Sequence, residues 1–455
     1  MPTAKPNYII FITDDQGYGD LSCMGATDFR TPHLDRLAGE GCRFTSFYSN
    51  SPVCSPSRAS LLSGRYPANA GVRSILAGHR TATGLPADVP SLATVLKGQG
   101  YRTALYGKWH LGLSEGSRPN DHGFDQFKGF LAGCVDYYSH IYYWSMNKGG
   151  PANDPMHDLW HNDREVWRNG EYMTEMITDD SVRFVREAAG EDEPFLLVVA
   201  YNAPHYPMHA PDTYMDRFAH LPWDRQVMAA MISAVDDGVG DVMAELARQG
   251  LAENTCTFFM SDNGPSRESR NWLDGTQDPY YGGCQGRLKG HKFSLYDGGI
   301  RVPGILHWPG RIPAGQVSDE PVAAMDIMPT FLAAAGADTA GLDLDGADIL
   351  PAASGRASSP HERIFWEMND QLAVRQGRWK LVLNGRLVEG AEPTDNVHLA
   401  DLEADMSESD NLAERHPDLT AELKSAAEHW GVDVEARFQS NWGDGASGTT
   451  GRPTG

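Results

Sequence analysis

Four places in the chain carry hard oxygen donors or cations directly after a strand-like run. Asp14 and Asp15 follow Tyr8–Thr13, and Asp262 and Asn263 follow Thr255–Ser261. Lys108 and His110 follow Arg102–Tyr106, and Asn202 and His205 follow Phe195–Tyr201. In an open parallel sheet, ligands bind beyond the carboxyl ends of the strands, so groups in these positions converge. Asp14, Asp15, Asp262 and Asn263 supply only oxygen. Such a set suits Ca²⁺, with Mg²⁺ as the alternative, and not Zn²⁺ or copper. Adjacent Asp residues also cap turns, but two pairs of oxygen donors, each directly after an apolar strand, favour a metal.

The cysteines at 23, 42, 54, 134, 256 and 284 contain no C-x-x-C pair. Neither a disulfide scaffold nor a finger-type zinc site is expected, and most of these thiols read as small buried hydrophobes. Cys54 differs. In Pro52-Val-Cys54-Ser-Pro56-Ser-Arg58, Pro56 sits where a helix begins, Ser57 to Ser63 continue it and Gly64 ends it. Cys54 is then expected just before a helix N-terminus, with Arg58 one turn in, and both favour an anion at position 54.

Cys54-Ser-Pro-Ser-Arg58 with Leu61-Leu62-Ser-Gly64 resembles the modification signature of the type I, formylglycine-dependent sulfatases of the alkaline phosphatase-like superfamily. The segment from Gly100 through Gly-Lys108-Trp-His110-Leu-Gly112 resembles the family's second signature. Asp14-Asp15-Gln-Gly-Tyr-Gly-Asp20, Ser261-Asp-Asn-Gly264 and Tyr296-Asp-Gly-Gly-Ile-Arg-Val-Pro303 are similar to further blocks of the family. Gln376-Gly-Arg-Trp-Lys-Leu-Val382, Leu399-Ala-Asp-Leu-Glu403 and Asn411-Leu412 look like its small second domain. The resemblance covers nearly the whole chain, in order.

The resemblance implies that a formylglycine-generating enzyme oxidises Cys54 to an aldehyde, which hydrates to a gem-diol. One hydroxyl attacks sulfur and expels the alcohol; the second loses its proton and expels sulfate, dividing one displacement into two easier steps. It implies a metal held by Asp14, Asp15, Asp262 and Asn263 that also touches residue 54. Arg58 would orient the diol, and Lys108 would bind it and a sulfate oxygen. His110 would be the base of the elimination, and His205 would contact sulfate and protonate the leaving oxygen. Lys292 fits the second sulfate-binding lysine, with Lys289 the weaker candidate. Ser139, in Tyr137-Tyr-Ser-His140, is a further candidate sulfate contact. Position 63 is Ser where Thr is common in the family, and 297 is Asp where Glu is common.

The elements that must position these groups alternate. Strand-like runs, with Val302–His307 as the fifth, are separated by helix-like ones: Thr31 as an N-cap before Pro32, Ser91 to Gln99 ending at Gly100, Thr174 to Ala189 and Asp224 to Arg248. This predicts an α/β fold with a large, mostly parallel sheet and helices on both faces. After about residue 360, Ile364–Met368, Leu372–Arg375 and Trp379–Leu383 read as short antiparallel strands, followed by one helix from Asp418 to Trp430. The expected domains are therefore 1–362, a catalytic α/β domain, and 363–442, a small α+β subdomain, with 443–455 a disordered tail.

A chain of 455 residues buries a sizeable core without staples. Its formal charge of −23 argues against a nucleic acid or anionic membrane as partner. It leaves room for a small anionic substrate in a locally basic pocket. There is no apolar run long enough to span a membrane and no leader of secretory form at the N-terminus. A cytoplasmic location is therefore expected, or a periplasmic or secreted one if a leader was removed.

Three other readings compete. Gly112-Leu-Ser114-Glu-Gly116 matches a nucleophile-elbow pattern but lacks the strand before it and the helix after it. A phosphonate or phosphate ester hydrolase of the same superfamily would use similar residues. A non-catalytic, calcium-dependent binder of sulfated glycans would leave gaps in the reactive set, and Cys54, Arg58, Lys108 and His110 are all present. The aromatics Tyr137, Tyr138, Tyr142, Tyr143, Trp144, Trp160 and Trp167 could stack on sugar or aryl rings, or serve as core or an oligomer interface. A carbohydrate sulfate is the expected substrate, followed by a small aryl or alkyl sulfate.

Overall fold

The computed structural model describes residues 5–143, 155–267 and 282–443. Trp144 and residues 444–455 of the expected tail lie outside them.

The main sheet contains β1 (Asn7–Thr13), β2 (Cys42–Phe44), β3 (Arg102–Lys108), β4 (Gln126–Phe130), β5 (Trp160–His161), β6 (Arg164–Glu165), β7 (Phe195–Ala200), β8 (Thr255–Ser261), β9 (Gly304–His307) and β10 (Gln316–Ser318). Their spatial order is β10-β2-β9-β8-β1-β7-β3-β4-β5-β6. The central run β8-β1-β7-β3-β4 is parallel, with antiparallel partners outside it. The longer helices are α1 (Pro32–Glu40), α2 (Cys54–Ser63), α3 (Leu92–Gly98), α4 (Met173–Ala188), α5 (Trp223–Arg248), α6 (Ile327–Ala335) and α7 (Pro417–Asn441).

The central strands read as continuous apolar runs because both faces are covered. Tyr8, Ile10 and Ile12 of β1 pack with Leu61 and Leu62 of α2, Leu96 of α3 and Phe331 of α6. Ile9 and Phe11 point the other way, onto Leu37 of α1, Phe184 of α4 and Val235 of α5. Ser91 caps α3, its hydroxyl accepting from the Thr94 N–H at 3.0 Å. Thr31 lies at the start of α1 as expected, but its side chain does not cap the helix. Its hydroxyl instead accepts from the Ser22 N–H at 3.1 Å.

After these come β11 (Ile364–Met368), β12 (Gln371–Gln376), β13 (Trp379–Gly385) and β14 (Asp395–Asp401), a four-stranded antiparallel sheet. The sequence pattern anticipates only three strands. β14 escapes it because Asp395, Asn396, His398 and Asp401 break up its apolar pattern. α7 runs on to Asn441, well past the expected end at Trp430. It passes Gly431 because Val434 and Phe438 dock on Ala68 of the main body.

Both faces of the small sheet are buried. Val374, Leu381 and Leu399 lie under Leu423 and Ala427 of α7, while Trp366, Ala373 and Val382 pack on Tyr48, Val53 and Tyr296. A buried ionic knot pins this second face. Lys380 Nζ lies 2.6 Å from Asp297 Oδ1 and 3.1 Å from Glu408 Oε1. Arg301 Nη1 lies 3.2 Å from Asp297 Oδ2, and the Tyr48 hydroxyl donates to the same oxygen at 3.0 Å. Burial alone would raise the Asp297 carboxyl, but Lys380 and Arg301 outweigh it and hold the group at about 2. Removing one member of a buried pair strands the other charge and costs about 3–5 kcal/mol. Lys380→Met is therefore expected to lose about that much stability, read from the denaturant midpoint at constant slope. An unmoved midpoint would mean that this knot does not join the two sheets.

Candidate active site

β1 and β8 run in register, with Thr13 opposite Ser261. The next residue of each, Asp14 and Asp262, therefore leaves the sheet at the same level. The Asp262 N–H donates to the Thr13 carbonyl at 3.0 Å, and the Asp15 N–H to Asp262 Oδ1 at 3.2 Å. Asn263 Nδ2 donates to Asp15 Oδ1 at 2.7 Å. β3 runs two residues further than its apolar pattern suggests, so Lys108 ends the strand rather than following it. Its Nζ reaches Asp14 Oδ2 at 2.6 Å with no solvent exposure.

α2 begins at Cys54 itself, a correction to the expected start at Pro56. Proline within the first turn needs no N–H partner there, so the helix can start two residues before it. Gly64, left-handed at φ 68°, ends the helix. One turn in, Arg58 is buried, with Nε 3.0 Å and Nη2 2.9 Å from Asp262 Oδ2. Its Nη1 donates to the Lys108 carbonyl at 3.0 Å, tying α2 to β3.

His205 follows β7 in a loop whose carbonyls at Asn202 and His205 lie 2.8 and 2.9 Å from the Tyr137 hydroxyl. Its Nε2 lies 3.6 Å from Asp15 Oδ2 and 3.5 Å from Lys292 Nζ. Lys292 donates to Asp15 Oδ2 at 2.9 Å. Ligand atoms of Asp14, Asp15, Cys54 and His205 all lie within 4.8 Å of one another. Cys54, His110, His205 and Lys292 share the wall of a cavity of about 150 Å³. Asp15, His110 and Phe293, next to Lys292, hold left-handed backbone at φ 61°, 55° and 72°. Non-glycine residues adopt it at a cost of about 1–3 kcal/mol each, a strain that collects at functional sites.

The structure does not bring Ser139 to this cluster. Its N–H and hydroxyl both donate to Asp136 Oδ1, at 2.6 and 2.8 Å, closing a local turn, and it does not line the cavity. Lys289 lies over the Tyr296 ring at 4.1 Å and donates to the Glu408 carbonyl. His209 faces Asp136. Ser114 lies in a turn six residues past the end of β3, with only a short 3-10 turn at Pro119–His122 beyond it, so no nucleophile elbow forms. Among the aromatics, Tyr137 and Trp160 are buried, Tyr142 lines the cavity, and Trp167 is 64% exposed and stacked on His157.

Electrostatics set the protonation states. Burial, followed by the charges of Lys108 and Arg58, pushes the His110 imidazole well below its ordinary value, so the ring is neutral at pH 7. Nε2 lies 3.3 Å from the Leu76 carbonyl. A carbonyl can only accept, so this nitrogen carries the proton. Nδ1, buried and unpartnered, keeps its lone pair. Burial pushes the Cys54 thiol up to about 12 despite Lys108 and Lys292, so an unmodified thiol is a poor nucleophile here. Burial works against the charge on Lys108, but Asp14, Cys54 and Asp262 together outweigh it and raise the ammonium above its ordinary value. Burial and the neighbouring Asp262 push the Asp14 carboxyl well up.

That repulsion is what a bound cation would relieve. Asp14 Oδ1 and Asn263 Oδ1 are buried with no hydrogen-bond partner. Two orphaned oxygens beside two further carboxylates fit a hard divalent ion.

Sequence reasoning did not single out three residues at this site. Cys134 and Glu389 line the cavity. A Cβ at Gly133 would come within 2.8 Å of the His110 ring, so only glycine leaves the imidazole its place. None carries a local signal, since each arrives from a loop that only the fold brings close.

A parallel α/β sheet whose strand ends gather oxygen donors, several cations and a helix-start nucleophile position has the architecture of a metal-assisted ester hydrolase. The family model described as Sulfatase matches residues 6–337. The model described as N-sulphoglucosamine sulphohydrolase, C-terminal, matches 290–430. Arylsulfatase A of Homo sapiens is 33% identical over 400 residues, covering 82% of this chain and 74% of that protein. N-acetylgalactosamine-6-sulfatase of Mus musculus is 32% identical over 391 residues, covering 82% and 71%. The crystal structure of Ps i-CgsB in complex with k-i-k-neocarrahexaose is 32% identical, with a TM-score of 0.84, over 98% of this chain and 96% of that one. The chain belongs to the sulfatase family. It is a sulfuric ester hydrolase acting on a small sulfated substrate, and the family implies a formylglycine nucleophile and a divalent metal.

Proposed function

We propose that the protein hydrolyses a carbohydrate sulfate monoester, with residue 54 as formylglycine and Ca²⁺ held by Asp14, Asp15, Asp262, Asn263 and residue 54. Supporting the carbohydrate are the neocarrahexaose in complex with Ps i-CgsB and the sugar in the name of the murine relative. The observation that carries the site is the buried cluster of Cys54, Asp14, Asp15 and His205. When bound, Ca²⁺ lowers the pKa of a coordinated hydroxyl and offsets developing charge on sulfate.

The chain's own residues do the rest. Arg58, fixed by Asp262, orients the diol at residue 54. Lys108 and Lys292 bind sulfate oxygens, supplying positive charge where the transition state becomes more anionic. One diol hydroxyl, its proton lost to solvent before attack, bonds to sulfur as the alkoxide while the sulfur–oxygen bond to the sugar breaks, and His205 gives the departing oxygen a proton. His110 Nδ1 then takes the proton of the second hydroxyl; the carbon–oxygen bond to sulfate breaks and the aldehyde returns. Oxidation of Cys54 by a formylglycine-generating enzyme precedes this cycle.

The test is mass spectrometry of the tryptic peptide Phe44–Arg58, from a host that modifies a control sulfatase. Formylglycine at position 54, with turnover of sulfated sugars above aryl sulfates and phosphonate esters, is the expected result. Unmodified cysteine in that host would refute the nucleophile.

A further inference from the structure

We propose that Asp158 is a positioning residue for His110: its carboxylate fixes the turn from Leu131 to Gly133, which holds the imidazole aimed for the elimination. This deepens the reading above and rests on the role proposed there for His110.

The sheet itself brings Asp158 to that turn. β5 pairs antiparallel with β4, with Trp160 opposite Gly129. Two residues back from Trp160 and two on from Gly129, Asp158 faces Leu131. There the ladder stops and a side chain takes its place. Asp158 is fully buried. Its oxygens accept from the Leu131 N–H at 3.1 and 3.2 Å, and Oδ2 accepts from the Ala132 N–H at 2.7 Å. Oδ1 also accepts from the Trp160 indole N–H at 2.6 Å. The Asp158 N–H donates to the His140 carbonyl at 2.9 Å, so the residue that fixes the turn is itself held. Hydrogen bonds to a carboxylate are the stronger kind.

Each of the two peptides held by Asp158 reaches the His110 segment with its other end. The peptide that carries the Leu131 N–H ends in the Phe130 carbonyl, which accepts from the Trp109 N–H at 3.0 Å. The peptide that carries the Ala132 N–H ends in the Leu131 carbonyl, which accepts from the His110 N–H at 3.1 Å. A trans peptide is planar, so fixing its N–H on one side aims its carbonyl on the other. Gly133 then packs on the ring: a Cβ there would lie 2.8 Å from His110 Cε1 and 2.9 Å from Nε2. His110 holds left-handed backbone at φ 55°, which persists only where the surroundings over-determine it. Without the carboxylate, two buried N–H groups lose their acceptor and the turn that walls the ring relaxes. The Leu76 carbonyl still selects Nε2 as the protonated nitrogen, so Nδ1 keeps its lone pair and loses its aim.

The experiment makes Asp158→Ala and Asp158→Asn, each alone and in the His110→Ala background, with 4-nitrophenyl sulfate as the probe. Rates are taken per formylglycine aldehyde, so poor folding appears as fewer reactive sites and not as slower ones. Asp158→Ala is expected to release about one equivalent of phenol per site at the wild-type rate. Its steady state should then fall by about 10–100-fold, the size of a roughly 1 Å misplacement, with sulfuryl retained on residue 54. Asp158→Asn, which keeps one acceptor oxygen, should lose less. With His110 already removed, Asp158→Ala should slow the residual turnover by less than about twofold, because coupled residues are not additive. Equal fold losses with and without His110 would make Asp158 merely structural and overturn this inference alone. So would a wild-type steady state in Asp158→Ala, or a slowed burst. Full turnover in His110→Ala itself would overturn the elimination role and this inference with it.

Discussion

Asp262→Ala is expected to lower sulfate ester turnover by at least about 10³-fold, at the upper end of what one electrostatic contact contributes. Asp262 does two things at once. Its Oδ2 holds Arg58 through Nε and Nη2 at 3.0 and 2.9 Å, and it is one of the four proposed oxygen donors to the metal. Its carboxyl is held below its ordinary value: burial alone would raise it, but Arg58 and Lys108 outweigh burial. It is therefore ionised at neutral pH, which both roles need. Removing it leaves a buried guanidinium unpaired, at a cost of about 3–5 kcal/mol of stability. Asp262→Asn separates the roles from simple unfolding, because it keeps the volume and one acceptor oxygen. Both variants should retain less than stoichiometric divalent metal by elemental analysis after dialysis. Wild-type turnover in Asp262→Ala would refute the site as drawn.

His110→Ala should retain the first half of the reaction and lose the second. The imidazole is neutral, and the Leu76 carbonyl fixes which nitrogen carries the proton, so Nδ1 is left as the base. Nothing in the attack on sulfur uses it. Mixing the variant with excess substrate should release about one equivalent of alcohol per active site and then nearly stop, with steady-state turnover down by about 10²–10⁴-fold. Mass spectrometry of Phe44–Arg58 should then show one sulfuryl group retained on residue 54. Loss of the burst along with turnover would assign His110 to the first step instead. Full steady-state turnover would remove it from the chemistry.

The residues proposed for the chemistry were legible because strand ends and signature spacings are local. Asp14-Asp15, Asp262-Asn263 and Cys54-x-Pro56-x-Arg58 each announce themselves within a few positions. The same locality explains the errors. Ser139 matched a short context, but Asp136, three residues away, takes its hydroxyl. Pro56 looked like the start of α2, but the chain turns helical at Cys54, where the residues ahead of it are already packed. Asp297, where Glu is common in the family, anchors Lys380 across the two sheets, a role that its local spacing does not show.

The alternation of strand and helix, and with it a parallel sheet with a site at its carboxyl end, follows from the order of residues alone. Apolar runs must bury both faces, and polar groups just beyond them have nowhere else to collect. Which of those groups meet is set by packing between distant elements. The register of Thr13 with Ser261 sets Asp14 beside Asp262. The close approach of Gly133 leaves room for the His110 ring. The bond from His291 to Leu387 brings Glu389 to the cavity from the small sheet. These contacts join residues from separate elements of the chain, and no local spacing encodes them, because each depends on how those elements pack.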